Sequence, residues 1–325
     1  MADGRMSLVT SDEVLRAAER LQGRVRQTPV VPSAAFGGLL KLETLQVTGA
    51  YKVRGALNAL MLQVASGDRR PVVAASAGNH AAGVAWAGRA LGLSVVTVVP
   101  QEAPETKVAR TRALGAQVLR HGADFEAAFA EAQRLSEVHN WHFLHPFDDL
   151  DVIAGQGSVG VELLAERPDV VALPIGGGGL ASGVGTLLKA YGVRVVGVQI
   201  HGVDAMAQAL GHTATSGMRT RTVADGIAVR TVGEKTAAIC REVLDDLVLV
   251  TEDEVRIAMR RLALEDHVIA EGAGAVAVAA LDRIPGHKKV AVVSGGNVDP
   301  LELVRVLAPT PTRRSQPYQE MRIRP

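Results

Sequence analysis

The sequence is poor in cysteine, in aromatic residues and in long apolar runs. Cys240 is its only cysteine, so the chain forms no internal disulfide and no thiolate metal cluster. No uninterrupted apolar segment approaches the ~18 residues that a membrane-spanning helix needs, and Met1–Val9 lacks the apolar core of a signal peptide. These absences predict a cytoplasmic protein that does not insert into membranes. In its helical setting, Cys240 is expected to be a small buried residue.

No excess of either charge is present. The 35 basic and 34 acidic residues nearly balance, which disfavours a protein that coats nucleic acid. Apolar residues form 47% of 325 positions, enough for a substantial core in one or two domains. We therefore expect a small-molecule partner rather than nucleic acid or a membrane.

Short β-branched runs alternate with longer helical stretches along the chain. The predicted strands are Val72–Ala75, Val95–Val99, Val170–Pro174, Val193–Gln199, Leu247–Val250 and Val290–Ser294. The predicted helices include Ala81–Leu91, Lys107–Leu114, Phe125–Val138 and Glu252–Ala263. Strands this apolar are typical of parallel sheets buried on both faces, so the pattern predicts an α/β fold. The strands form two sets, at about residues 70–145 and 168–295, which predicts two sheets with a cleft between them.

Two helix starts carry a capping-box signature. Thr10 precedes Glu13 by three residues, and Thr251 precedes Glu254 by the same spacing. Each threonine hydroxyl and glutamate carboxylate can satisfy backbone amides that a helix N-terminus leaves without partners. We expect helices to begin directly after both threonines.

Four consecutive glycines, Gly176–Gly179, follow one predicted strand and precede a helix. Amides without side chains can converge there on one anion, and the helix N-terminus adds positive charge, so the loop predicts a phosphate site. A plain turn needs only one or two glycines. The loop lacks the Lys-Ser/Thr ending of nucleoside-triphosphate loops. A dinucleotide fingerprint fails because Gln199 occupies its acidic position, which disfavours a nicotinamide oxidoreductase.

Lys52 differs from an ordinary surface lysine because Gly49, Tyr51, Val53 and Gly55 surround it in the sequence. Partial desolvation lowers the pKa of an amine and makes its neutral form available to attack a carbonyl. An amine nucleophile together with a phosphate cradle is the minimum equipment of a pyridoxal phosphate enzyme.

Six motifs resemble those of the threonine/serine dehydratases, which are pyridoxal 5′-phosphate enzymes. They are Lys41–Ala56, Ser76–His80, Ile153–Gly157, Gly176–Gly179, Ala224–Val229 and Ser294–Asn297. Their order and spacing match the family from about Val14 to Leu307. The resemblance implies the tryptophan-synthase-β-like fold (fold type II), with two three-layer open-sheet domains of mostly parallel strands. The expected large cofactor-binding domain is 1–44 plus 146–307, the small domain is 45–145, and 308–325 form a tail. A homodimer is also implied.

The resemblance also implies a role for each matching residue. The cofactor residues are Lys52, Asn79, Gly176, Gly177, Gly178, Gly179, Leu180 and Ser294. The substrate-carboxylate residues are Ser76, Gly78, Asn79 and His80. Lys52 is expected to hold the cofactor covalently and to act as the base at Cα. The Ser294 hydroxyl would contact the ring nitrogen without protonating it, which makes the ring a weaker electron sink and favours prompt loss of a β leaving group.

Several positions differ from the motifs of related enzyme families, and each difference disfavours one alternative activity or site. Ala77 stands where serine racemases carry a serine that reprotonates Cα, so racemisation is disfavoured. Gln199 and Ala205 stand where those racemases hold a divalent cation with carboxylates, so no such metal site is expected. His80 replaces the threonine of cysteine synthases, which disfavours β-replacement by sulfide. The short segment after Leu307 predicts no regulatory domain.

The sequence thus predicts an ammonia-lyase for L-threonine, L-serine or both, giving a 2-oxo acid and ammonia. Open alternatives are a dehydratase for phenylserine, 3-hydroxyaspartate or hydroxyectoine-derived substrates, a serine racemase-like enzyme, and a non-catalytic protein that binds the cofactor. The substrate side chain is expected near Phe147, Asp225–Val229 and Glu271.

Overall fold

The computed structural model describes residues 8–213 and 222–308. The strands in that part of the chain are β1 (Val30–Pro32), β2 (Leu39–Leu42), β3 (Val72–Ala75), β4 (Val95–Val99), β5 (Gln117–Arg120), β6 (His142–Phe143), β7 (Val170–Pro174), β8 (Arg194–Ile200), β9 (Asp246–Val250) and β10 (Lys289–Val293). The α-helices are α1 (Ser11–Leu21), α2 (Lys52–Ala65), α3 (Asn79–Leu91), α4 (Glu105–Ala113), α5 (Phe125–His139), α6 (Leu150–Leu164), α7 (Gly179–Ala190), α8 (Ala205–Ala209), α9 (Glu234–Val243), α10 (Glu252–Leu264), α11 (Gly272–Ala279) and α12 (Pro300–Leu307).

The strands form two sheets. The larger has the order β1-β2-β10-β7-β8-β9, and the smaller has the order β5-β4-β3-β6. Among the strand pairs of the described residues, β1–β2 alone is antiparallel. The mostly parallel α/β prediction is confirmed. Each sheet takes its strands from one of the two predicted domains, although the domain division itself stays a prediction.

Both sheets are covered by helices on both faces. In β3, Val72 and Ala74 pack in the cluster that includes α2 and α3, whereas Val73 and Ala75 pack against α5. In β7, alternate residues face α10 and α11 on one side and α7 on the other. This double burial explains why the central strands are continuous apolar runs.

The bounds of the predicted strands match the structure to within one residue. β3, β4 and β7 have the predicted bounds, whereas β8 begins one residue later and β10 one residue earlier than predicted. The predicted second set of strands was incomplete, because the larger sheet also contains β1 and β2. Those two strands have three and four residues, too few to show a periodic pattern.

Both predicted capping boxes are present. Glu13 N donates to Thr10 Oγ1 at 3.3 Å, and Thr10 N donates to Glu13 Oε2 at 2.8 Å. Thr251 and Glu254 form the same reciprocal pair at the start of α10. Helices α1 and α10 therefore begin where the sequence predicts.

Cys240 is fully buried in α9, and burial raises the pKa of its thiol to about 12. A thiol with so high a pKa is inert, as expected of a packing residue. Across residues 8–213 and 222–308, no helix is both long enough and apolar enough to span a membrane.

A buried ion network joins α2 to β2 and α6. Arg54 donates to Glu43 at 2.7 Å and to Glu162 at 2.6 Å, and Lys41 also bonds Glu162. Thr28 Oγ1 donates to Glu43 at 2.5 Å. Two cations and two carboxylates balance in charge, which makes their burial tolerable. Arg54 lies two residues after Lys52, so the network fixes the first turn of α2.

Candidate active site

A cavity of about 420 Å³ lies between the two sheets. The loops that line it follow the carboxyl ends of β3, β7 and β10, where open α/β sheets bind ligands. All the residues predicted for cofactor and substrate line this one cavity, namely Lys52, Ser76, Gly78, Asn79, His80, Gly176, Gly177, Gly178, Gly179, Leu180 and Ser294.

Lys52 is the first residue of α2, and its side chain is held inside the cavity. Nζ donates to Pro146 O at 2.8 Å and lies 5.4 Å from the centroid of the Tyr51 ring. Burial lowers the pKa of the Lys52 amine from 10.5 to about 8. A neutral amine is therefore far more accessible here than on a surface lysine, as nucleophilic attack on a carbonyl requires.

The loop before Lys52 is joined by its backbone to the loop after β10. Tyr51 N donates to Ser294 O at 3.1 Å, and Gly296 N donates to Gly49 O at 2.9 Å. Gly49 has φ +69°, and an added Cβ would lie 2.5 Å from Asn297 Oδ1, so glycine is required there. These contacts place Lys52 and Ser294 on adjoining backbone segments.

The glycine tetrad is a tightly packed turn into α7. A Cβ added to Gly177 would lie 2.4 Å from the Phe147 ring, and one on Gly176 would lie 2.9 Å from Ile227 Cα. Gly178 has φ +93°, and the first amide to bond back into the helix is Ser182 N, to Gly178 O at 2.8 Å. The preceding amides have no intrahelical partner, so they can hold a phosphate.

Ser294 and Asn79 supply neutral polar groups to the cavity. Ser294 Oγ donates to Ala273 O at 3.3 Å. Asn79 Nδ2 donates to Glu271 Oε1 at 2.5 Å, and Asn79 Oδ1 accepts from Asn297 Nδ2 at 2.7 Å. These two bonds fix the orientation of the Asn79 amide.

Glu271 is a buried carboxyl beside Asn79. It occupies the N-cap position of α11 without a side-chain capping bond, and only 8% of its surface is exposed. Burial raises the pKa of Glu271 from 4.5 to about 7, and nearby Asp225 adds to the rise, whereas the Asn79 hydrogen bond opposes it. The sequence predicts that Glu271 lies near the substrate side chain. In the structure Glu271 is hydrogen-bonded to Asn79, a predicted cofactor residue.

The Ser76–His80 loop presents a helix N-terminus to the cavity. Gly78 N donates to Ser76 Oγ at 3.1 Å, and Ala82 N is the first amide to bond back, to Gly78 O at 3.1 Å. The amides of Asn79 and His80 at the start of α3 have no intrahelical partner, which suits a carboxylate.

The ring of His80 faces the protein interior rather than reacting atoms. His80 Nε2 lies 3.2 Å from Leu144 O, so Nε2 carries the proton and donates. Burial, and then the charge of Lys52, lower the pKa of His80 to about 3. A ring with this pKa is a poor base, in keeping with a backbone role.

Two basic residues of α4 also line the cavity, and the sequence did not reveal them. Lys107 Nζ pairs with Asp225 at 2.5 Å, and Arg110 Nη2 donates to Thr48 O at 2.5 Å. The local sequence of α4 is that of a charged surface helix. Only the packing of α4 across the cleft makes these residues part of the site.

The fold and the site together define a pyridoxal phosphate enzyme of fold type II. Its cradle of unpartnered amides and its buried amine are the groups that this cofactor requires, and its neutral serine can hydrogen-bond the ring nitrogen. Residues 21–296 match the family model described as pyridoxal-phosphate dependent enzyme.

Relatives place the chain within that class. It is 40% identical to the L-threonine ammonia-lyase of Thermotoga maritima over 315 residues, 92% of this chain and 78% of that protein. It is 40% identical to the L-threonine dehydratase catabolic TdcB of Escherichia coli (strain K12), over 90% of this chain and 94% of that protein. The chain belongs to the pyridoxal-phosphate-dependent family of L-threonine ammonia-lyases and dehydratases, and its cofactor is pyridoxal 5′-phosphate.

A solved structure shares the fold. Maize serine racemase has a TM-score of 0.85 and 31% identity, covering 92% of this chain and 97% of that chain. The predicted family, fold class and cofactor are thus confirmed, whereas the roles of individual residues stay predictions.

Proposed function

We propose that this protein eliminates ammonia from L-threonine, and from L-serine as a smaller substrate, to give a 2-oxo acid. The observation that carries the proposal is the convergence of the Lys52 amine, the glycine tetrad and the Ser294 hydroxyl on one cavity. The names of the two relatives above support threonine as the substrate.

The residues of this chain hold and orient the reactants. Pyridoxal 5′-phosphate, when bound, supplies a conjugated ring that accepts the electrons released at Cα. Amides of Gly176–Leu180 would hold its phosphate, Asn79 would contact its ring hydroxyl and Ser294 its ring nitrogen. The Lys52 amine would anchor it covalently and, when free, would be the base that takes the Cα proton.

Elimination rather than racemisation follows from what faces Cα. The Ser76–His80 loop binds the substrate carboxylate through its amides. Lys52 works from one face, and Ala77 has no proton to return from the other. Loss of the Cα proton and of the β-hydroxyl together releases one water, and hydrolysis of the resulting enamine consumes one water and gives the 2-oxo acid and ammonia.

The cavity lining favours a methyl group over a second carboxylate. Apolar surface is contributed by Phe125, Ile227 and Val229. Of the two α4 cations in the lining, Lys107 is already paired with Asp225, and Arg110 already donates to Thr48 O. A substrate bearing a β-carboxylate would have to compete with Asp225, so threonine is favoured over 3-hydroxyaspartate.

A substrate panel tests the proposal. The full-length protein with pyridoxal phosphate is offered L-threonine, L-serine, phenylserine and 3-hydroxyaspartate, and the 2-oxo acids are measured by mass spectrometry. We expect 2-oxobutanoate as the main product, with pyruvate from serine. Lys52→Ala should release neither, whereas Lys189→Ala, a change at an exposed lysine, should leave release unchanged. Cofactor absorption without 2-oxo acid from threonine would refute the proposal.

We also propose that two copies of the chain form a homodimer, as the family resemblance implies. Analytical ultracentrifugation of the purified protein should give the mass of two chains, and a monomer at all concentrations would contradict this.

A further inference from the structure

The segment 144–148 lies beneath the cavity and connects β6 to α6. Its Pro146 carbonyl accepts the hydrogen bond from Lys52 Nζ at 2.8 Å. Its Phe147 ring occupies the space that a side chain on Gly177 would need. The conformation of this segment therefore determines which group accepts the hydrogen bond from Lys52 and which ring packs against the glycine tetrad.

His145 holds this segment from within. Its Nδ1 lies 2.8 Å from Asp148 N and 3.3 Å from Phe147 N. A backbone amide can only donate, so Nδ1 must accept both bonds and carries no proton. The ring proton is therefore on Nε2, and the imidazole is neutral.

The surroundings of the ring maintain that state. The His145 ring stands edge-on to Phe147, with centroids 4.7 Å apart and planes at 88°, and it meets Phe129 at 5.3 Å and 76°. Burial lowers the pKa of His145 to about 4; Lys52 and Lys235 oppose its charging, whereas Asp148 favours it. The ring therefore stays neutral at pH 7, and Nδ1 remains a hydrogen-bond acceptor there.

Both ends of the segment are attached to neighbouring helices. His80 Nε2, in α3, donates to Leu144 O at 3.2 Å. At the other end Asp148 Oδ1 accepts from Thr236 N, in α9, at 2.9 Å. With its ends fixed, the conformation between them depends on the two bonds to His145.

We infer that His145 is a positioning residue, whose Nδ1 shapes the Pro146–Asp148 turn so that the Pro146 carbonyl faces Lys52 and the Phe147 ring supports the glycine tetrad. The inference rests on the cofactor roles of Lys52 and the tetrad proposed above. His145 itself acts through the turn.

Two substitutions at His145 distinguish the effect of losing the hydrogen-bond acceptor from the effect of losing the volume of the ring. In His145→Asn the side-chain oxygen can take the place of Nδ1, whereas His145→Leu fills space without an acceptor. The full-length holoenzymes are diluted and the decay of the cofactor absorption band is followed. Losing two hydrogen bonds from the turn should make His145→Leu lose cofactor about tenfold faster than wild type. His145→Asn should stay within about threefold. His121→Leu, at an exposed histidine, is the matched control and should behave as wild type.

Nitrogen-15 NMR of the wild-type holoenzyme provides the second measurement and needs no variant. We expect Nδ1 of His145 to show the shift of an unprotonated nitrogen and Nε2 that of a protonated one. A proton on Nδ1 would overturn the inference even if His145→Leu did not fold. Equal cofactor loss in the Asn and Leu variants would also overturn it.

Neither readout depends on which amino acid is the substrate. A failed substrate panel with intact cofactor retention would therefore refute the proposed function and leave the role of His145 standing.

Discussion

Glu271→Gln should make the protein more stable at high pH and leave its stability unchanged at low pH. Glu271 is a buried carboxyl whose pKa is raised from 4.5 to about 7, chiefly by burial. Glutamine is neutral at every pH, and its side-chain oxygen can still accept the hydrogen bond from Asn79. The substitution therefore removes the titration with little change in shape.

The direction of this change in stability follows from the linkage between protonation and folding. The folded state favours the protonated carboxyl, so the stability that this preference contributes is fully present below pH 4.5. It is lost as the pH rises through 7, because the buried group must then ionise. Moving the pKa from 4.5 to about 7 corresponds to about 3–4 kcal/mol, at ~1.4 kcal/mol for each pH unit.

Urea unfolding of both proteins measures this, with saturating pyridoxal phosphate throughout. The free energies of unfolding should agree below pH 4.5, and the variant should be more stable by up to about 3–4 kcal/mol at pH 8.5. Glu137→Gln, at an exposed position, controls for the loss of one negative charge. A difference between wild type and Glu271→Gln that stays constant with pH would show that Glu271 does not titrate in this range.

Three further substitutions test the cradle, the buried network and a cap. Gly177→Ala places a Cβ 2.4 Å from the Phe147 ring, so cofactor affinity, measured by absorbance titration, should fall at least about tenfold; unchanged affinity would mean that the turn is not tightly packed. Arg54→Met leaves the buried Glu43 without its cation and should cost about 3–5 kcal/mol in urea unfolding; a loss below about 1 kcal/mol would contradict the network's importance. Thr251→Ala removes the cap of α10 and should lower the free energy of unfolding by about 1 kcal/mol in the same assay. An unchanged free energy of unfolding would show that the Thr251 hydroxyl does not stabilise the helix.

Strands could be predicted from the sequence where burial on both faces leaves a continuous apolar run. β3 and β7 are such runs, and their predicted bounds match the structure. β5 (Gln117–Arg120) alternates between exposed and half-buried residues at a sheet edge, and β6 has only two residues, paired with β3. Pairing with a neighbour rather than local composition makes these segments strands, so the sequence carries no separate signal for them.

Residues of the candidate site could be predicted where a local sequence motif identifies them. Lys52 and the glycine tetrad carry such motifs, and the structure places them in one cavity. Lys107 carries none, because its helix has the composition of a solvated surface helix. His145 carries none either, since its contribution depends on two amides whose positions only the folded turn defines.

The backbone contacts between the Gly49–Tyr51 and Ser294–Gly296 loops have a consequence for biosynthesis. The lysine segment leaves the ribosome well before β10, the strand that completes its surroundings. A nascent chain can form most of its helices and the whole smaller sheet while its cofactor pocket still lacks one wall. We therefore expect stable cofactor capture only after β10 has emerged.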